Sequence, residues 1–336
     1  MKRYSINDAP IKVLGIPFFD KTHKIVRVPD DVIEKVPTLA FHGRRVPGGR
    51  VCFRTDSECI RVLVTFKTLS IDPGMSIFAC QAVHVFAGEK TSSRFLGLKG
   101  VPNYDTKEID GTFHKENNTM EDIEILLPRN EIIDTVEVFL DDNAEICAPT
   151  PYKYSKPIVF YGSSITEGGI SCNLSNAYTA IISRHLDVDY INLGFSGNAK
   201  GELAVADYIN TIDASIFVYD YAHNSPSVEH LKETHEPFFL RIREKQPNLP
   251  VVMLSRPYAV YGEDENARRD VVKKTYENAV ARGDKNVYFI VGETFFKDCP
   301  DREICFIDRI HPNDYGFHIM ASKVEPVIKK ILENLQ

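Results

Sequence analysis

A junction in the second half of the chain reads Pro157-Ile158-Val159-Phe160-Tyr161-Gly162-Ser163-Ser164-Ile165-Thr166-Glu167-Gly168. The run up to Tyr161 is apolar and rich in β-branched and aromatic residues, which predicts a buried strand. Glycine and serine follow at once, and these residues favour tight turns and helix caps. We therefore expect a strand, a sharp turn and a helix, with Ser164 at the carboxyl end of the strand.

The rest of this half of the chain repeats the alternation of strand and helix. Because such alternation is typical of βαβ units, it predicts a parallel sheet with helices on both faces. A final helix is expected from Pro312, with a break or kink at Pro326. The predicted strands are 157–161, 188–193, 215–221, 250–254 and 286–291, and the predicted helices between them are 176–185, 202–212, 228–244 and 264–281.

The first part of the chain has a different pattern. Its apolar runs are short, bounded by turn residues and without a convincing amphipathic helix between them, which predicts an all-β antiparallel sandwich, jelly-roll-like in form. The pattern of predicted secondary structure changes near Ala148-Pro149-Thr150-Pro151-Tyr152. We therefore expect a β-sandwich domain at 1–150 and an α/β domain at 151–336. The predicted strands of the first domain are 59–66, 77–86, 122–127 and 134–140.

Length and composition agree with two globular domains. The 336 residues are 43% hydrophobic and 26% charged, with a formal net charge of −7. This composition favours a soluble protein and lacks the excess of basic residues expected of a nucleic-acid-binding protein, so we expect no nucleic-acid partner. We expect no membrane-spanning segment and a cytoplasmic location, unless a signal peptide has been removed. The seven cysteines have no C-x-x-C spacing, so neither a disulfide framework nor a zinc site is indicated.

Three further segments carry groups that could act with Ser164: Gly194-Phe195-Ser196-Gly197-Asn198, His223-Asn224 and Asp308-Arg309-Ile310-His311. The first two follow predicted strands, so they should meet Ser164 at the edge where ligands bind in parallel sheets. Asp308 and His311 are three residues apart, close enough for the carboxylate to orient the imidazole. A serine hydroxyl needs such a base, and acyl transfer needs donors for the oxyanion.

Each of these segments also has a purely structural explanation. A Ser pair after a strand is commonly a helix cap, Gly194 and Gly197 suit a tight turn, and Asn224 can satisfy a local turn, with His223 lining a pocket or facing solvent. Together, however, the four segments favour a serine esterase. The nucleophile elbow of α/β-hydrolases is excluded because Thr166 replaces its last glycine, and no Gly-x-Gly-x-x-Gly pattern indicates NAD.

The four segments resemble the signature blocks of the SGNH, or GDSL-like, hydrolases over about residues 155–335. The resemblance implies a flavodoxin-like three-layer α/β fold, with Ser164 as nucleophile, His311 as general base and acid, and Asp308 as its orienting partner. It also implies an oxyanion hole formed by the backbone N–H groups of Ser164 and Gly197 and the side-chain amide of Asn224. No cofactor or metal is implied.

Within that superfamily, the phrase Tyr161-Gly162-Ser163-Ser164-Ile165-Thr166 is similar to a two-domain group with an N-terminal β-sandwich. Ser163 stands where many GDSL-like enzymes carry Asp. This resemblance implies hydrolysis of a short-chain acyl ester, most simply acetyl, on a carbohydrate or small metabolite. The alternatives are a carbohydrate-binding protein with a non-catalytic hydrolase scaffold, a lipase, or an acyltransferase. The oligomeric state is left open.

Overall fold

The computed structural model describes residues 1–70, 72, 74–257 and 262–335. Gln336, the last residue of the predicted second domain, lies outside these ranges. The strands are β1 Lys2–Ser5, β2 Lys12–Leu14, β3 Arg50–Thr55, β4 Cys59–Phe66, β5 Ala82–Ala87, β6 Arg94–Gly100, β7 Glu108–His114, β8 Glu121–Leu126, β9 Ile133–Leu140, β10 Ile146–Cys147, β11 Tyr154–Gly162, β12 Val188–Gly194, β13 Ile216–Asp220, β14 Val251–Leu254 and β15 Val287–Ile290.

The α-helices are α1 Phe19–Thr22, α2 Asp30–Lys35, α3 Ile77–Cys80, α4 Ser164–Glu167, α5 Tyr178–Leu186, α6 Leu203–Ile209, α7 Val228–Lys245, α8 Glu263–Ala281 and α9 Asp314–Asn334. Single turns of 3-10 helix lie at Pro37–Leu39, His42–Arg44, Leu174–Asn176, Ala222–Asn224, Gly292–Thr294 and Arg302–Cys305. Among the described residues no helix is long and apolar enough to cross a membrane.

The first half of the chain forms two antiparallel sheets that share a core. One sheet has the order β1-β9-β4-β7, and the other has the order β10-β3-β8-β5-β6 with β2 added beside β3. In β4 every second residue is buried, as expected for a strand with one face in the core. Side chains from both sheets belong to one apolar cluster, so the predicted antiparallel sandwich is confirmed.

One predicted strand of the sandwich is partly wrong. Residues 77–80, assigned to a strand at 77–86, form helix α3, and the strand begins only at Ala82. The reason is the cap: the Ser76 hydroxyl accepts a hydrogen bond from Ala79 N at 3.3 Å, which starts a helical turn despite the apolar sequence. The sequence analysis did not predict six strands of this half of the chain, namely β1, β2, β3, β6, β7 and β10.

The second half forms the predicted parallel sheet, with the order β12-β11-β13-β14-β15. This is the flavodoxin-like order, and helices pack on both faces around two apolar clusters. Strand β11 lies between β12 and β13, and Gly162 at its end is in register with Gly194 and Asp220. The carboxyl ends of three adjacent strands therefore meet at one edge, and the predicted α/β fold is confirmed.

The last helix differs from its prediction in one respect. Helix α9 begins shortly after Pro312. Asn313 caps this helix, because the Asn313 Oδ1 accepts a hydrogen bond from Gly316 N at 3.1 Å. The break expected at Pro326 is wrong, since the helix continues to Asn334. Val324, Ile328 and Leu332 are buried against the sheet, and this packing holds the helix together across the missing N–H.

The two halves of the chain are not separate in space. Val32, Ile33 and Val36 on and after α2 belong to the apolar cluster under α6 and α7, so an early segment completes the core of the α/β half. The predicted division at 150/151 falls between β10 and β11, and as a domain boundary it stays a prediction.

Candidate active site

Ser164 is the first residue of α4, directly after the central strand β11. Ser163 caps this helix, since its Oγ accepts from Ile165 N at 3.1 Å, and its own N–H donates to Asp220 O at 3.2 Å. Gly162 is required here, because a Cβ would stand 2.1 Å from Asp220 O. The strand end, the turn and the helix start are thus fixed by backbone contacts with β13.

The structure brings the three residues of the predicted triad together. The Ser164 Oγ lies 2.8 Å from His311 Nε2, and His311 Nδ1 lies 2.7 Å from Asp308 Oδ2. The other carboxylate oxygen of Asp308 accepts from Ile310 N at 3.0 Å and from His311 N at 2.8 Å. Burial alone would raise the pKa of Asp308, but these hydrogen bonds from Ile310 and His311 outweigh it and lower that pKa below its ordinary value.

The predicted oxyanion donors lie around the same turn. Ser164 N is the first N–H of a helix, and Gly197 sits in a turn with a positive φ of 68° and open space beside its Cα. Within the described part of the chain, neither of these N–H groups donates to a protein acceptor. Asn224 Nδ2 donates to Phe195 O at 3.1 Å, so its amide lies against the Gly197 turn.

Glu167 has a structural role that the sequence did not indicate. Its Oε2 accepts from Ser196 N at 3.0 Å and from Ser196 Oγ at 2.6 Å, which ties the Gly197 turn to α4. Burial alone would raise the pKa of Glu167, but the charges of Arg27 and His42 and the bond from Ser196 lower it. The residue is therefore a buried carboxylate. Because the helix dipole is enough to explain an acidic residue in the first turn of a helix, the sequence gives no sign of this contact.

His223 also departs from its expected place. It neither lines an open pocket nor faces solvent, because its side chain is only 7% exposed and its Nε2 lies 2.5 Å from Ser163 Oγ. Its Nδ1 lies 3.9 Å from Asp220 Oδ1. The signal was present in the sequence: Asp220-x-x-His223 has the same spacing as Asp308-x-x-His311.

Two buried arginines from the first half of the chain hold the loops of the site. Arg27 Nη1 donates to Asn192 O at 2.7 Å and to Gly194 O at 2.9 Å, at the end of β12. Arg129 donates to the carbonyl oxygens of Gly168 and Gly169, just after α4. The first half of the chain therefore shapes the loops around Ser164. No group of His, Cys, Asp and Glu suited to a metal ion occurs among the described residues.

The sequence matches the family model described as the GDSL-like lipase/acylhydrolase family over residues 155–329. The chain belongs to this family, which places it among the carboxylic ester hydrolases. No curated protein sequence matches the chain significantly.

Several solved structures are similar to this one along nearly the whole chain. A protein from Bacteroides ovatus, described as a GDSL-like lipase, is 24% identical, with a TM-score of 0.88 over 99% of this chain and 98% of that one. A salicylyl-acyltransferase from a tetracycline biosynthetic pathway is 20% identical, with a TM-score of 0.81 over 97% of each chain. A family two carbohydrate esterase from Clostridium thermocellum, solved with cellohexaose, is 16% identical, with a TM-score of 0.63 over 85% of this chain and 93% of that one. These likenesses establish the two-part fold.

Proposed function

We propose that this protein is a serine esterase in which Ser164, His311 and Asp308 act as a catalytic triad. One observation carries the proposal: a continuous hydrogen-bond chain runs from Ser164 Oγ through the His311 ring to Asp308. A base held against a serine hydroxyl, with a carboxylate fixing its other nitrogen, is the arrangement that activates serine for acyl transfer.

In the proposed mechanism, His311 Nε2 takes the proton of Ser164 Oγ as the oxygen attacks the ester carbonyl. The Asp308 carboxylate keeps the Nδ1 proton in place and stabilises the imidazolium that forms. The negative charge on the carbonyl oxygen is bound by the N–H groups of Ser164 and Gly197 and by the Asn224 amide, each from a different strand end. His311 then protonates the leaving alcohol, and water attacks the acyl-enzyme in the same way.

For the substrate, we propose a short acyl ester, most simply acetyl, on a carbohydrate or small metabolite. The support is the arrangement of a β-sandwich before the esterase half, which this chain shares with a carbohydrate esterase solved with cellohexaose. The acyl-enzyme could also pass its acyl group to an alcohol. Because a salicylyl-acyltransferase has a similar fold, transfer of the acyl group to an alcohol is the second candidate activity.

The test is hydrolysis of p-nitrophenyl acetate, butyrate and octanoate by the wild type, Ser164→Ala and Ser163→Ala. We expect Ser164→Ala to lose activity by several orders of magnitude, since the nucleophile is absent. Ser163→Ala removes the hydroxyl that caps α4 but keeps the nucleophile, so it should retain measurable turnover. Equal rates for the wild type and Ser164→Ala would overturn the assignment.

The same assay separates the remaining alternatives. Preference for acetate supports a deacetylase, whereas preference for octanoate supports a lipase. Addition of a small alcohol as acceptor, with the transfer product measured against free acid, distinguishes transfer from hydrolysis. A protein that binds sugars but turns over none of these esters would be a binding protein.

A further inference from the structure

Ser163 and His223 form a contact directly beneath the proposed site. The distance from His223 Nε2 to Ser163 Oγ is 2.5 Å, and the Ser163 hydroxyl also accepts from Ile165 N at 3.1 Å. Ser163 is fully buried, and the His223 side chain is 7% exposed. Neither residue is therefore placed to touch a substrate.

Each residue of this contact directly precedes a proposed oxyanion donor in the chain. Ser163 immediately precedes Ser164, whose N–H is the first proposed oxyanion donor. His223 immediately precedes Asn224, whose amide is the third. The hydrogen bond between Ser163 and His223 thus joins the start of α4 to the 3-10 turn at Ala222–Asn224.

The protonation of His223 fits this role. Burial, with a further contribution from the positive charge of Arg256, lowers the pKa of His223 to about 3. The ring therefore stays neutral across the pH range in which a serine esterase works. A neutral ring can hold this hydrogen bond throughout that range.

We propose that His223 is a positioning residue for the esterase reaction, which acts through Ser163 to hold Ser164 N and the Asn224 amide at the spacing that an oxyanion requires. The proposal rests on the proposed function above. Because the oxyanion is absent from the bound ester and forms only on the way to the tetrahedral intermediate, loss of this spacing should lower kcat and leave KM nearly unchanged. Removal of one oxyanion donor costs about 10²- to 10³-fold in kcat, so displacement of a donor should cost about 10- to 100-fold.

The experiment measures kcat and KM for p-nitrophenyl acetate with His223→Ala, His223→Gln, Asn224→Ala and the double variant His223→Ala/Asn224→Ala. We expect His223→Ala to lower kcat about 10- to 100-fold with KM within about threefold of wild type. His223→Gln can still hydrogen-bond to Ser163 and should recover most of that loss. In the double variant, the His223 substitution should add little to the loss caused by Asn224→Ala, since its effect passes through that amide.

A matched control separates positioning from simple loss of a buried imidazole. His235 is also a buried histidine, hydrogen-bonds Thr275 Oγ1 at 2.8 Å and has its pKa lowered to about 3 by burial. His235→Ala should lower the melting temperature as His223→Ala does, but keep kcat within about twofold of wild type.

Three results would overturn the inference: equal kcat losses in His223→Ala and His235→Ala, a change confined to KM, or fully multiplicative losses in the double variant. Failure of the proposed function has a different signature, namely unchanged turnover in Ser164→Ala, whatever the His223 variants do.

Discussion

Replacing Arg27 with methionine removes a buried guanidinium that links the first half of the chain to the loops of the site. Burial lowers the pKa of Arg27 to about 10, so the group stays charged near neutral pH. Its nitrogens donate to four backbone carbonyl oxygens, those of Arg45 at 2.7 Å, Asn192 at 2.7 Å, Gly194 at 2.9 Å and His42 at 2.7 Å. Methionine keeps much of the apolar volume and none of the donors.

The size of the effect follows from those contacts. A hydrogen bond from a charged group contributes about 1.5–3 kcal/mol, but the freed carbonyl groups relax partly and the four bonds are not additive. We expect a loss of about 4 kcal/mol in the free energy of unfolding, near the top of the range for one substitution. Because two of the acceptors are at the end of β12, the Gly197 turn should also loosen, and kcat should fall.

Urea denaturation of Arg27→Met, followed by circular dichroism, measures this loss. The control is Arg61→Met, since Arg61 makes a two-pronged pair with Asp110 at the surface of the sandwich, at 2.7 and 2.6 Å. The control should unfold close to the wild-type midpoint because exposed ion pairs contribute little. If Arg27→Met lost no more stability than Arg61→Met, the role given to the buried carbonyl contacts would be wrong.

Two further predictions concern the carboxylates. Asp308→Asn keeps the backbone contacts but presents an amide to His311 Nδ1, which disfavours the tautomer that accepts the Ser164 proton. The kcat for p-nitrophenyl acetate should therefore fall on the order of 10³- to 10⁴-fold. A loss under tenfold would argue against an orienting role. Burial raises the pKa of Asp220 from 3.8 to about 7, so the folded state retains this proton where the unfolded chain has lost it, and stability falls as pH rises from about 4 to about 7. Asp220→Asn removes the cost of ionising a buried carboxyl. The free energy of unfolding of this variant should be close to wild type at pH 4 and greater by up to about 4 kcal/mol above pH 7. If urea titrations gave a difference that does not change with pH, the raised pKa of Asp220 would be contradicted.

Much of the fold could be predicted because its signals are local. The alternation of apolar strands with helices specified the parallel sheet, and the four segments fell at strand ends or just before the last helix. The errors occur where the local signal conflicts with tertiary context. Residues 77–80 are apolar enough for a strand, but a serine cap makes them helical. Pro326 disfavours a helix locally, yet packing keeps α9 continuous.

The candidate site shows the same division. Ser164, His311 and Asp308 could be identified from motifs, because spacing within a segment and order along the chain are visible in a sequence. The contacts that hold the loops of the site in place could not be identified in this way. The bond from Ser196 to Glu167, the contacts of Arg27 with the end of β12 and the pairing of Ser163 with His223 join segments that are 29 to 167 residues apart. Only the three-dimensional structure brings such partners together.

Whether Ser164 is the nucleophile can be tested by covalent labelling with diethyl p-nitrophenyl phosphate, a reagent that phosphorylates activated serines. Peptide fragmentation by mass spectrometry can then distinguish Ser164 from its neighbour Ser163. We expect one diethyl phosphoryl group per chain, on Ser164, formed in parallel with loss of esterase activity and absent from Ser164→Ala. Inactivation with the label on Ser163 or another residue would contradict the assignment of Ser164 as the nucleophile.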